Sequence, residues 1–138
     1  MIRVFLDSDV ILDFLLARKT HARSAGMIFS LGERGTLSLL TSTLSFMNVH
    51  YVAGTATDQS TSRSLAQRLR TLLELLPVNA AHVDAAFASG LKDVEDYVQY
   101  AVARDARVDY LVTRNVADYP REPSFIVNPA LFLDTLSV

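Results

Sequence analysis

The sharpest constraint on the fold lies near the amino terminus. IRVFL, residues 2–6, is a short run of large apolar side chains carrying a single arginine, and it stops at Asp7. A strand apolar on successive rather than alternate positions is buried on both faces, as in parallel sheets. Asp9 follows, and the apolar run resumes through Val10, Ile11 and Leu12 to Asp13. A helix is expected to begin near Ser8 or Asp9, either of which can cap it, and to reach about Leu16. Carboxylates are costly to bury unless paired, hydrogen-bonded or bound to metal. This stretch, VFLDSDVILDFLL, therefore asks which of its acids are helix punctuation and which is a ligand.

The same rhythm recurs along the chain. A helix is expected over residues 21–32, with Ala22, Ala25, Ile28, Phe29 and Leu31 on one side, and TLSLLTS reads as the second strand. Residues 43–52 form a helix apolar nearly all round, which predicts a central position, and Gly54 with TATDQSTS breaks the chain. Leu65, Leu69, Leu72, Leu73 and Leu76 give a helical stripe over residues 63–76. LLPVN holds a short third strand, and AHVDAAFASG a short helix ending at Gly90. KDVEDYVQYAVARDA carries Val94, Val98, Ala101 and Val102 at helical spacing. DYLVT is a strand, TRNVADYP a loop and SFIVN a last strand, after which Asn128 and Pro129 open a final helix through Leu136.

Strands alternating with helices predict one α/β domain over residues 1–138, a parallel sheet with helices on both faces. Ligands in such sheets collect beyond the carboxyl ends of the strands. That edge receives Asp7, then Asn48 about one turn into the helix after the second strand, then Asn115 and Asp118 after DYLVT.

Composition narrows the chemistry. The absence of cysteine excludes disulfides and thiolate metal sites and is compatible with a cytoplasmic location. No apolar stretch approaches the ~18–20 residues of a membrane span. Only Arg3 precedes the first apolar run, so no secretory signal is expected. A formal charge of −2 gives no general attraction to polyanions. Nucleic acid would have to be met by a local basic patch or by bound cations. Neither a P-loop, a dinucleotide fingerprint nor an esterase elbow is present.

Structural explanations compete with chemical ones at every acid. Helix capping accounts for Asp9, and a solvated or rim position for Asp13. Asp7 resists this reading, because it ends an apolar strand within the sheet. In KDVED, helix-dipole complementarity suits Asp93, while Asp93 and Asp96 lie three apart on one face, where like charges repel by a few tenths of a kcal/mol. His21, His50 and His82 have no metal-ligand spacing and read as surface or packing residues. Arg63, Arg68 and Arg70 read as a solvated face. Arg18, Lys19, Arg23 and Arg114 are placed to contact phosphates.

Taken together, VFLDSDVILDFLL and VEDYVQYAVARDARVDYLVTRNVADYP resemble the two signature regions of the PIN-domain family of metal-dependent ribonucleases. The resemblance implies a three-layer α/β/α sandwich with a central, mostly parallel sheet, an acidic pocket binding Mg2+ or Mn2+, and hydrolysis of RNA phosphodiesters. Many stand-alone bacterial members are toxins of VapBC-type toxin–antitoxin pairs, often dimeric and silenced by a small antitoxin. A cognate antitoxin, a homodimer and an RNA substrate are therefore the implied partners, with no membrane. By this resemblance Asp7 takes the first acid and Asp96 the acid of the later helix, with Glu95 a neighbouring candidate. Asn115 falls where many members carry an acid, and Asp118 is the nearby acid that could serve instead. Thr113 matches a supporting hydroxyl.

One departure from the pattern is Asn48, which stands where the family typically has a glutamate. Two alternatives stay open beside the nuclease. One is a catalytically weakened PIN-like module that binds RNA or a protein. The other takes Asp7-Ser8-Asp9 as the motif of a haloacid-dehalogenase-like phosphatase, although the only lysines are Lys19 and Lys92 and no late acidic pair follows a strand.

Overall fold

The structure is a computed structural model, and it describes residues 1–121 and 125–136. The first strand, β1 (Ile2–Leu6), lies in the middle of a five-stranded sheet of order β3-β2-β1-β4-β5. The others are β2 (Leu37–Ser42), β3 (Glu74–Leu76), β4 (Tyr110–Val112) and β5 (Ile126–Val127), and every pairing is parallel. Parallel neighbours need crossovers, and helices supply them. These are α1 (Ser8–Leu15), α2 (Ala22–Glu33), α3 (Thr43–Ala56), α4 (Gln59–Arg70), α5 (Ala80–Ala88), α6 (Val94–Asp105) and α7 (Pro129–Leu136).

Period-two alternation along the strands divides the apolar residues between two cores. Val4 and Leu6 of β1 join Leu37 and Leu39 of β2 and Val112 of β4 beneath α1–α4 and α7. Phe5, Leu111 and Ile126 face the other way, against Ala86 of α5 and Val98 and Val102 of α6. β1 is thus covered on both sides, which bears out the buried parallel-type reading of IRVFL. Chain connections run outward from β1 in opposite directions, so the carboxyl end of β1 is the switch point at which a ligand site is expected. Among the described residues no helix is long and apolar enough to cross a membrane.

Three expectations need correction. The helix expected over residues 43–52 runs on to Ala56 and is peripheral, not central: Met47 is 61% and Tyr51 72% exposed. Gly54 does not break it, and the stop comes at Thr57, after which Asp58 caps α4 through the Thr61 amide at 2.8 Å. The stripe over residues 63–76 is split. Helix α4 ends at Arg70, and β3 takes Leu76 and Leu75 into the sheet beside Ser42 and Thr41. Backbone pairing with β2 overrides the helix propensity of those leucines, which is high in rank but small in energy per residue. β3 also lies slightly earlier than LLPVN. In SFIVN the strand covers only Ile126 and Val127, Asn128 instead accepts the Leu131 amide at 2.8 Å, and Ser124 lies outside the described residues.

His82 is a packing residue, as the sequence allowed. It is buried, completes a reciprocal cap with Asn79 and reaches Asp105 at 2.9 Å, joining α5 to α6.

Two glycines of α2 test the packing against β2. A Cβ on Gly26 would meet nothing within 4 Å, whereas one on Gly32 would lie 2.4 Å from a methyl carbon of buried Leu39. Gly26→Ala is expected to stabilise by about 0.5–1 kcal/mol through helix propensity. Gly32→Ala should lose stability, because overpacking costs about 1–3 kcal/mol against that gain. Urea midpoints moving in the same direction for both variants would contradict this account of the α2–β2 contact.

Candidate functional site

Asp7 ends β1 and is itself the cap of α1, the position expected for Ser8 or Asp9. Its amide donates to the Val112 carbonyl at 3.0 Å, so the residue still belongs to the sheet. Both carboxylate oxygens are engaged. One accepts the Ser8 amide at 2.7 Å, and the other accepts the hydroxyls of Thr113 and Tyr119, each at 2.8 Å. Tyr119 is buried and was not singled out from the sequence, since nothing in a loop pattern says that a phenol turns inward.

Asp9 is not a cap. From the first turn of α1 its Oδ2 accepts the Arg114 amide at 3.1 Å and the Asn115 side-chain amide at 3.0 Å, pinning the loop after β4. Its Oδ1 is buried and has no hydrogen-bond partner among the described residues. Asp13 is neither solvated nor at a rim. It is 1% exposed, pairs in a two-pronged fashion with Arg114 at 2.7 and 3.2 Å, and has Arg18 at 3.5 Å. The Arg114 guanidinium, held above its usual pKa mainly by this hydrogen bonding to Asp13, is thus engaged within the protein.

On the other side of the cleft, Asp93 caps α6 by accepting the Asp96 amide at 3.0 Å, the structural role expected of it. This cap places Asp96 and the exposed Glu95 at the start of α6. Asp118 sits in a single 3-10 turn, Val116–Asp118. Asn48 enters from α3. All of these meet in one cavity of about 270 Å³, lined by Asp7, Ser8, Asp9, Leu12, Arg18, Asn48, Asp93, Glu95, Asp96, Gln99, Asn115 and Asp118. The cavity lies at the carboxyl end of β1, where the topology predicts a ligand. Thr113 stands behind it, holding Asp7. Gln99 was another unanticipated residue: it is buried, and its Oε1 accepts the Ser42 hydroxyl at 2.5 Å.

Six carboxylates and one arginine line this space, and the electrostatics follow. Burial pushes the Asp7 carboxyl up from its ordinary value, against the lowering effect of Thr113, Tyr119 and Ser8. Burial, and then Asp7, push Asp9 up to about 6. Burial, followed by Asp7, Asp93 and Asp118, pushes Asp96 up to about 8. Burial also carries the Tyr119 phenol well above its usual range, with Asp7 adding to the effect, so Tyr119 stays a donor.

The donor set is all oxygen, without cysteine or histidine, which suits a hard divalent cation. The unpartnered Asp9 Oδ1 and the mutual repulsion of the acids are what a cation would relieve. Among the described residues, however, no three His, Asp or Glu side chains stand in a ready-made ligand set. The chemistry of the donors fits a metal, but their arrangement is not a closed cage.

Comparison with known proteins agrees with this fold. A family model described as the PIN domain matches residues 3–117. No functionally curated protein matches in sequence. Among solved structures, a toxin–antitoxin complex from Klebsiella pneumoniae is 19% identical, with a TM-score of 0.68 over 91% of this chain and 97% of that one. VapBC2 from Rickettsia felis, bound to a DNA fragment from its promoter, is 14% identical, with a TM-score of 0.68 over 92% and 98%. Mycobacterium tuberculosis VapC20, a toxin that cleaves the sarcin–ricin loop, is 15% identical, with a TM-score of 0.63 over 78% and 86%. These likenesses establish the shared α/β/α fold.

The crowded acids make stability depend on pH. Asp96 holds its proton to about 8 when folded, against 3.8 for an ordinary carboxyl, so the folded state binds more protons in between. Its contribution is full below the lower value and is lost as pH rises through the upper one. Without metal, the protein should melt at a lower temperature at about pH 8 than at about pH 5, and Asp96→Asn should reduce that difference by a few degrees. Parallel melting profiles for wild type and variant would show that Asp96 does not feel its neighbours.

Proposed function

The chain belongs to the PIN-domain family, and we propose that it is a divalent-metal-dependent endoribonuclease, the toxin of a type II toxin–antitoxin pair. The observation that carries this reading is the gathering of Asp7, Asp96 and Asp118 in one cavity at the switch point of the sheet. In this reading those three acids are the catalytic ligands of Mg2+ or Mn2+, with Asn48 and Glu95 beside them. A cation held there supplies positive charge and Lewis acidity for hydrolysis of an RNA phosphodiester.

The rest of the site is supplied by the chain itself. Thr113 and Tyr119 fix the Asp7 carboxylate, and Asp93 orients the turn that carries Asp96. Asn115 and the Arg114 backbone hold the loop against Asp9. With the Arg114 side chain engaged by Asp13, Arg18 is the cation that lines the cavity and is placed to meet a backbone phosphate. In water an acidic pocket repels RNA, so bound cations and Arg18 together must reverse the local field.

A partner surface supports the toxin reading. Met47 and Tyr51, one turn apart on α3, border a shared pocket and are 61% and 72% exposed. A cognate antitoxin and a second copy of the chain are the occupants we propose for such surfaces. A single domain spanning the chain, acting on RNA in the cytoplasm, completes the reading. The phosphatase alternative has no place in a chain matched as a PIN domain. A non-cutting RNA- or protein-binding module is the second reading, and the observation favouring it is that Asn48 and Asn115 line the cavity as neutral amides.

RNA cleavage with and without Mn2+ separates the two. Wild type should cut only with metal and Asp7→Asn not at all, whereas undiminished cutting by the variant would remove the enzyme reading. Asn48→Glu, which adds a charge to the cavity, should increase the rate if the amide is a weakened ligand position. Arg18→Ala should weaken RNA binding and lower the slope of log affinity against log salt by about 1, as expected for one lost phosphate contact. An unchanged slope would mean that Arg18 serves only Asp13.

A further inference from the structure

Among the described residues, Asp9 Oδ1 is the one buried side-chain oxygen or nitrogen without a hydrogen-bond partner. Buried polar atoms are nearly always satisfied, and an exception calls for a cause such as an absent ion. Protonation does not remove the difficulty. A protonated Oδ1 would be a buried donor with no acceptor, just as the ionised oxygen is an acceptor with no donor. The Arg114 guanidinium attracts Asp9 through space, but its hydrogen bonds go to Asp13, and Arg18 lies 3.5 Å from that same carboxylate, so neither donates to Oδ1. Asp7 presents the opposite case, with donors on both oxygens.

Asp9 Oδ2, by contrast, is fixed from two directions by the Arg114 amide and the Asn115 side chain. The carboxylate is therefore held by one oxygen while the other is left over, in a residue lining the same cavity as Asp7, Asp96 and Asp118. A carboxylate anchored through one oxygen and free at the other is how a protein orients a metal ligand. Resting on the metal-dependent reading above, we propose that Asp9 is a direct ligand of the divalent cation, coordinating through Oδ1. Through Oδ2 it couples the cation to the loop of residues 113–115. Since Asn48 and Asn115 bring no charge, Asp9 supplies the additional negative charge the cation needs.

Mn2+ titration calorimetry on wild type, Asp9→Asn and Asp7→Asn tests this, with melting temperatures recorded in chelator and in Mn2+. Asp9→Asn is expected to weaken Mn2+ binding by about tenfold or more. Its melting temperature in chelator shows whether the variant is folded, so that weakened binding is read from an intact protein. Wild-type affinity for Mn2+ in Asp9→Asn, with binding lost in Asp7→Asn, would overturn the Asp9 assignment and leave the metal reading intact. Absence of Mn2+ uptake by wild type would overturn both. A second measurement needs no variant. Titration of wild type with Mg2+ should shift the 13C resonance of the Asp9 side-chain carboxyl, and a static Asp9 signal beside a moving Asp7 signal would also overturn the assignment.

Discussion

The Asp7 carboxylate is the interaction on which the site depends. Through its amide it finishes the β1–β4 pairing, through its side chain it caps α1, and through Thr113 and Tyr119 it fixes the segment after β4. One buried acid thereby ties the consecutive β1 and α1 to a loop 106 to 112 positions further along the chain. Desolvation raises its pKa and three donors lower it, so the charge is tolerated because the protein has been folded around it. Such a residue is structural and chemical at once, and the rest of the cavity is arranged about it.

A second, partly buried contact completes the frame. Asp13 and Arg114 form a two-pronged pair at the base of the same loop. Buried pairs are weak evidence for stability, since desolvation offsets the attraction, but breaking one partner leaves a stranded charge. Their consequence here is positional. With the Arg114 side chain held by Asp13, its backbone amide stays directed at Asp9. The loop that carries Asn115 and leads to Asp118 is anchored at both acids of α1, and a site built on such supports is pre-organised.

Much of the fold was legible because the strands are apolar on successive positions and the helices carry period-3.6 stripes. IRVFL, TLSLLTS and DYLVT all became strands of one parallel sheet. The failures came where local pattern and tertiary pairing disagreed. Leu76 continues a helical stripe in sequence but pairs with Ser42 in the sheet, and α3 reads as apolar all round yet leaves Met47 and Tyr51 in solvent. Asp9 and Asp13 were misread for a related reason. A helix wheel shows which residues share a face, but not what that face meets, and here one acid meets a loop and the other an arginine 101 positions away.

By itself the sequence determined the alternation of strands and helices, the covering of both sheet faces, and the strand-end position of Asp7. Each of these follows from local periodicity and from the cost of burying charge. Only the tertiary structure decided which polar groups meet at that edge. It turned Tyr119 and Gln99 inward, paired Asp13 with Arg114, and left one oxygen of Asp9 buried without a partner. Those outcomes depend on contacts between residues distant in the chain, where desolvation and hydrogen-bond geometry act on groups that no sequence window contains together.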